Sequence, residues 1–418
     1  MVGKQSLSSQ HIEYILQENT IGDVEKRLLP SSEDLPRPFT PSSKVNSKRT
    51  ERHWRELKSQ PVEAVLDSWT TKNLEEFQGN IENCIGTVKL PVGIAGPLRV
   101  NGLFASGDYS IPLATSEAAL VASYHRGSSL ITACGGCSAI IQFQSVSRAP
   151  AFTFKSLVEA GKFIAWTMPK FEEMKGIAEA TSNHAKLLDV GITLEGNHVY
   201  LNFQYTTGDA SGQNMVTIAT QAICDFIRDS YEGVIKEIYV EGNVSGDKKA
   251  SSQAFNSTRG KKVTAEAIIP ADLLDKYLNV TPKQMLDYWT VSAIGGVLSG
   301  TMGVHGHFAN GLAALYIATG QDAACVAESA MGVTRFDVTE NNELYASVTL
   351  PSIMVGTVGG GTGLPSQKAC LELMGLHGSG NSQALAEVCA GLLLAGELSI
   401  IAALANGDFT KAHRKLAR

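Results

Sequence analysis

Several short stretches of this 418-residue chain carry side chains able to do chemistry. His305 and His307 form an HxH pair, and Cys134 and Cys137 a CxxC. Lys248 and Lys249 follow Gly246-Asp247. Glu117 stands where a helix is expected to begin, Asp322 lies in a Gly-Gln-Asp, and His413 sits in a basic tail. Five glycines fall within Gly356–Gly363. A four-ligand zinc site needs a second CxxC or a second histidine pair, and neither follows. No clustered carboxylates or thiols accompany the HxH, so no metal is expected. The glycine run fits neither G-x-G-x-x-G nor G-x-x-x-x-G-K-[ST], which leaves a Rossmann or P-loop fold unsupported. It reads as a place where backbone approaches backbone or a ligand. Taken singly, the lysines read as a charged turn and Glu117 as a residue favoured by a helix dipole. Asp322 reads as a helix cap, and His413 as part of a solvated tail.

Composition narrows the function. Lys+Arg 35 against Asp+Glu 41 gives a net charge of -6, which argues against nucleic acid as a partner, because phosphate binding needs a basic face. A local basic pocket for a phosphorylated small molecule remains open. The seven cysteines are odd in number and irregularly spaced, and read as buried free thiols of a reducing compartment. The first residues lack the apolar core of a signal peptide. Val388–Leu404 is apolar but broken by Glu397, and reads as too short and interrupted to span a bilayer. A soluble, cytoplasmic protein without a membrane partner is expected, with two or three domains for this length.

Stepping along the chain gives the elements that must hold those residues. Residues 8–28 read as helical, 30–50 as a proline- and serine-rich linker, and 51–77 as helical with a break at Pro61. From Ile81 short apolar runs with glycine punctuation suggest strands. A helix is expected from Thr115 or Ser116 onward. Between 150 and 240 two helical spacings alternate with the strand-like HVYLNFQYTTGD and IKEIYVEGN. That pattern suggests a small α+β insertion in a larger domain. Residues 285–315 are rich in Gly, Ala and Ser, which allows close helix packing; 366–376 and 383–406 are helical.

In order, ENCIGTVKLPVGIAGPL (82–98), PLATSEAALVAS (112–123), GDASGQNM (208–215), GNVSGDKKA (242–250), NGLAALYIATGQDAA (310–324), PSIMVGTVGGGTGLPSQKACLELMG (351–375) and AGELSIIAALANGDFTKAH (395–413) resemble 3-hydroxy-3-methylglutaryl-CoA reductases. The likeness is to the class I form, because the lysine lies in a DKK loop with no HNKG-type segment. It runs from Glu82 to His413, and residues 1–80 fit only loosely. The resemblance implies an α+β fold: an N-terminal helical region and linker (1–80), a large substrate- and CoA-binding domain around a long central helix (81–149 and 241–418), and an inserted ferredoxin-like dinucleotide-binding domain (150–240). It further implies a homodimer or homotetramer with active sites at the dimer interface.

The activity so implied is a four-electron reduction of an acyl-CoA thioester to an alcohol, with two hydrides from NADPH, or NADH, and release of CoA. Lys248 matches the family's cation for the thioester oxyanion. His413 matches the imidazole that protonates the leaving thiolate. Glu117 matches the acid that protonates the aldehyde oxygen, which asks for burial or a neighbouring carboxylate to keep its proton. Asp322 matches the carboxylate placed between Glu117 and Lys248, so that the three would titrate together. Arg148, Lys249, Asn310 and His307 match positions around the acyl group, and Arg126 one at the CoA phosphates. Asp209, Gly212, Asn214 and Met215 match the dinucleotide motif.

Three positions depart from the family. Glu241 stands where a serine usually binds the acyl carboxylate, and Thr290 where a lysine does. Asn183 replaces an arginine near the adenosine 2′-phosphate, which leaves NADPH over NADH open. Two other readings follow: a related reductase of an acyl-CoA lacking the distal carboxylate, or a non-catalytic acyl-CoA-binding homologue. Cys137 as an acyl-transfer nucleophile is a further one.

Overall fold

The computed structural model describes residues 5–30 and 35–408. The chain divides into two compact units, 1–86 and 87–418.

In the first unit, α1 (Gln5–Glu18) and α2 (Ile21–Leu28) replace the single expected helix. Thr20 breaks it: its hydroxyl accepts from the Asp23 amide while the Asp23 carboxylate takes the Thr20 amide, a capping box that starts a new helix. Asn46, inside the expected linker, caps α3 (Ser47–Glu56). The remaining expected helix reduces to α4 (Ser68–Lys72) and a 3-10 turn at Leu74–Phe77. Val45, Leu74 and Cys84 form a small core of their own.

The second unit is α+β. The strands β1 (Val92–Gly102) and β2 (Ser106–Ala114) form a hairpin, followed by α5 (Leu120–Ala133) and β3 (Cys137–Arg148). Next come β4 (Ala151–Thr153), α6 (Leu157–Thr167), α7 (Phe171–Ala180), β5 (Lys186–Glu195), β6 (His198–Thr206), α8 (Gln213–Ser230) and β7 (Glu237–Tyr239). The chain continues through α9 (Ser252–Asn256), β8 (Gly260–Ile269), α10 (Ala271–Leu278), α11 (Pro282–Ser299), β9 (Gly303–Val304), α12 (Phe308–Thr319) and α13 (Val326–Ser329). It ends with β10 (Gly332–Val338), β11 (Leu344–Ile353), α14 (Pro365–Leu373) and α15 (Ser382–Ala405).

Strand β3 belongs to two sheets. Its Ser138–Ser145 stretch pairs antiparallel with β8, and Val146–Arg148 pairs with β6. Beyond β6 lie β4, β7 and β5; beyond β8 lie β11, β10 and β9. Arg148 therefore sits at the end of the one strand that both sheets share.

Twenty of the 24 residues of α15 are buried. A helix apolar on all sides must lie inside protein or lipid, and this one lies among α5, β3, β8, α11 and β11. A side chain at Gly127 of α5 would collide with the Ala395 carbonyl, and one at Gly396 with the Tyr124 ring. Two glycines thus let α5 and α15 touch. The two carboxylates of α15, Glu387 and Glu397, are fully buried and each takes up loop amides: Glu387 those of Leu103, Phe104 and Ala105, Glu397 those of Gly306 and His307.

Candidate active site

Residues 241–249 form a loop stitched to the end of β3. The Gly242 amide donates to the Ala149 carbonyl (2.6 Å) and the Ser147 hydroxyl to the Ser245 carbonyl (2.9 Å). Asp247 anchors it from below, accepting from Arg148 Nη1 (3.1 Å) and Arg259 Nη2 (2.5 Å). Burial alone would push the Asp247 carboxyl up; the two guanidinium groups outweigh it and hold it below the usual range. The next residue, Lys248, has φ +55°, a conformation uncommon for a side chain of this kind. It sends its ammonium away from the anchor to Asp322 Oδ2, 2.8 Å away. That contact holds the Lys248 pKa above its ordinary value. Asp322 also accepts from the Ala324 amide through Oδ1 (3.0 Å), so it is both the expected cap and the partner of the lysine. Lys249 turns back to the Asp247 carbonyl (2.9 Å).

The anchor is a buried charge cluster. Arg259 is fully buried, with Gln213 Oε1 at 2.5 Å and the equally buried Glu328 at 3.6 Å from Nε. Burial pushes the Glu328 carboxyl up, against the pull of Arg259. Arg148 Nη1 also meets Glu241 Oε2 at 3.1 Å, and Glu241 Oε1 accepts the Asn243 amide at 2.6 Å. The non-family residue at 241 therefore occupies the arginine.

Glu117 belongs to a second cluster. The helix expected from Thr115 begins at Leu120, because Ala119 sits at φ +69°. Glu117 is thus in the preceding turn and not in a helical first turn. Its carboxylate is exposed and accepts from Asn310 Nδ2 at 3.0 and 3.1 Å. With His307, Arg126, Ser123 and Ile400 it lines a cavity of about 410 Å³. Arg126 is held by Ser399, donating to its carbonyl (3.0 Å) and hydroxyl (2.9 Å), and burial lowers its pKa.

Of the expected triad, Lys248 and Asp322 pair with each other, while Glu117 pairs with Asn310. Asn310, the partner of Glu117, is in the first turn of α12, and Asp322 lies just past its C-terminal end. Nine residues of helix lie between Asn310 and the end of α12 at Thr319, a rise of roughly 13.5 Å. Glu117 is exposed in the single chain, so the burial that would keep its proton is not supplied there.

Gly212 caps α8 at φ +78°, where a side chain would strike Thr207. Asn214 and Met215 follow in the first turn. The Asp209 carboxylate accepts the amides of Gly380 (2.8 Å) and Ser382 (3.1 Å) at the start of α15. Gly356 packs on Asp209–Ser211 and Gly361 on Gly320, so part of the glycine run serves backbone contact, while Gly359, Gly360 and Gly363 face open space. Asn183 is exposed in the bend between α7 and β5. Thr290 is exposed and donates to the Leu286 carbonyl of its own helix. His413 lies outside the described residues. Cys137 is fully buried, its thiol pushed up to about 12 by burial, which removes it as a nucleophile.

Sequence reasoning missed Arg259, Glu328, Gln213 and Glu397. Gln213 was inside a quoted motif. A lone carboxylate in an apolar helix, as at Glu397, signals a buried partner. Arg259 and Glu328 carry no local signal.

Residues 46–418 match the family model for hydroxymethylglutaryl-coenzyme A reductase. The 3-hydroxy-3-methylglutaryl-coenzyme A reductase of Methanocaldococcus jannaschii is 43% identical over 81% of this chain and 85% of its own length. That of Aeropyrum pernix is 43% identical over 84% of each. Among solved structures, the class II reductase of Streptococcus pneumoniae bound to NADPH aligns with a TM-score of 0.62 at 21% identity, covering 86% of this chain and 83% of its own. With a family model spanning all but the first 45 residues, and relatives at this identity over most of both chains, this protein is a member of the hydroxymethylglutaryl-coenzyme A reductase family.

Proposed function

We infer that this protein reduces 3-hydroxy-3-methylglutaryl-CoA to mevalonate with two NADPH and releases CoA, a step toward isoprenoid precursors. The observation that carries the reading is the Lys248–Asp322 pair at 2.8 Å, on a loop clamped from beneath by two arginines. A fixed ammonium there stabilises the oxyanion made when hydride reaches the thioester carbonyl, and again the developing alkoxide of the aldehyde step. Asp322 orients it. Glu117, steadied by Asn310, supplies the proton to the aldehyde oxygen, and His413 the proton to the thiolate. Arg126 takes a CoA phosphate at the rim of the Glu117 cavity.

A second copy of the chain completes the site, bringing the Glu117 cavity of one subunit to the Lys248 loop of the other. Two features support this: the span of α12 between the half-sites, and an exposed apolar face on α11 made of Val291, Ile294, Val297 and Leu298. The large domain (81–149 and 241–418) then holds substrate. The 150–240 insertion holds the dinucleotide on the Gly212 cap, where helix amides meet anionic phosphate, with Asn214, Met215 and Asn183 beside it. The DKK loop supports a class I assignment.

The Arg148–Glu241 pair favours a second reading, reduction of an acyl-CoA without a distal carboxylate. Initial rates with NADPH and NADH across several acyl-CoAs test both. Efficient turnover of 3-hydroxy-3-methylglutaryl-CoA supports the first, and turnover confined to uncharged acyl groups supports the second.

A further inference from the structure

Glu397 is fully buried, yet its two oxygens face four donors. Oε1 accepts the His307 amide (2.9 Å) and stands 3.3 Å from His307 Nδ1; Oε2 accepts the Gly306 amide and the Thr334 hydroxyl, each at 2.7 Å. Burial alone would push this carboxyl up, but the His307 ring and the amides outweigh it and hold it below the ordinary range. It is an anion inside the protein. Glu387, on the same helix, shows what a purely structural carboxylate does here: it collects three backbone amides and touches no ring. Glu397 collects an imidazole as well.

That imidazole is fixed on its other sides too. It stacks on the Tyr124 ring at 5.2 Å and 15°, and the Tyr124 hydroxyl donates to the His307 carbonyl (3.3 Å). At Gly306 a side chain would press on Ile400 and on the Glu397 carboxylate itself, so the residue before the histidine has to be small. His307 lines the cavity with Glu117, and Asn310, three residues on along α12, holds the Glu117 carboxylate from the same helix face.

We propose that Glu397 is a positioning residue, acting through His307 to keep the proton on Nδ1 and present a bare Nε2 to the Glu117 cavity. This rests on the acyl-CoA reductase reading and adds a residue to it. A carboxylate behind an imidazole fixes its tautomer, orients the ring and raises its basicity. The bare Nε2 then accepts an N–H or O–H of the bound acyl-CoA. The other titratable groups facing the pair are Tyr124 from α5, Glu117 from the turn before it, and His305, whose pKa burial pushes down.

Nitrogen-15 spectra of histidine-labelled full-length protein test the proposal, with His307 assigned by His307→Gln. The expected result is a protonated Nδ1 and an unprotonated Nε2 in the wild type, and a mixed tautomer in Glu397→Gln. In turnover, Glu397→Gln and His307→Gln should each lose roughly ten- to a hundredfold. The double variant should be no worse than His307→Gln, because one residue acts through the other. A wild-type His307 carrying its proton on Nε2 overturns the proposal. So do losses that multiply in the double variant, the pattern of a carboxylate that only braces the loop. Should Glu397→Gln fail to fold, the wild-type spectrum alone decides. Should the protein reduce no acyl-CoA, the reductase reading falls while the tautomer is still measured.

Discussion

Arg148 Nη1 and Glu241 Oε2 form an ion pair at 3.1 Å, with the arginine side chain 9% exposed and the glutamate 25%. A substrate carboxylate seeking this arginine has to compete with one already in place. Glu241→Gln keeps the size and removes the charge. The Michaelis constant for 3-hydroxy-3-methylglutaryl-CoA should fall about tenfold, the equivalent of ~1.4 kcal/mol, with little change in kcat. The constant for an acyl-CoA with an uncharged tail should barely move. A higher Michaelis constant for the charged substrate would show that Glu241 is part of its binding surface.

Lys248→Ala removes the ammonium and leaves Asp247 between its two arginines. Loss of such a charge-stabilising donor typically costs about 100- to 1000-fold in kcat. Both hydride transfers should suffer, so reduction of added mevaldehyde must drop along with thioester reduction. The melting temperature should hardly change, because the pair is half exposed and exposed ion pairs contribute about 0–1 kcal/mol. Retained mevaldehyde reduction would separate Lys248 from the second step.

The separation of Glu117 from Lys248 by the length of α12 makes a complementation test possible. Glu117→Gln and Lys248→Ala chains should each be nearly inactive. Unfolded together in equal amounts and refolded, half of the dimers are mixed, and each mixed dimer has one intact site of two. About a quarter of wild-type activity should return. No recovery would place both residues in one subunit's site.

Lys261 is almost fully buried, with its ammonium on the Val355 carbonyl at 3.0 Å. Burial brings its pKa down to about 8, against the opposing pull of Asp209. Between about pH 8 and the unfolded value near ~10.4, the unfolded chain binds more protons than the folded one. Stability from this group therefore rises with pH across that window, by up to about 3 kcal/mol, and is lost again as the pH falls toward 8. Urea unfolding of Lys261→Met should lack this rise, and an unchanged slope would mean that the lysine stays charged when buried.

Long periodic segments are legible in the sequence: the helix expected at 383–406 lies at Ser382–Ala405. The turn at Thr115–Ala119 was not, because Ser, Glu and Ala all suit a helix and a single backbone angle at Ala119 forbids it. A similar limit hid the second break near Thr20, where the side-chain cap decides. In the site, Lys248 and Asp322 were found through motif likeness, and their contact is real. Arg259 and Glu328 stayed hidden, since a buried pair formed between distant segments leaves no periodic trace in either. The placement of the Glu117–Asn310 and Lys248–Asp322 pairs toward opposite ends of α12 was equally invisible, for motifs give order along the chain and not distance across it.

Asp209 ties the loop preceding α8 to the first amides of α15. A ligand gripping that loop pulls against the least yielding member of the molecule. Moored in this way to a helix buried along most of its length, the loop and the start of α15 share one anchor, so a change at either is felt by the other.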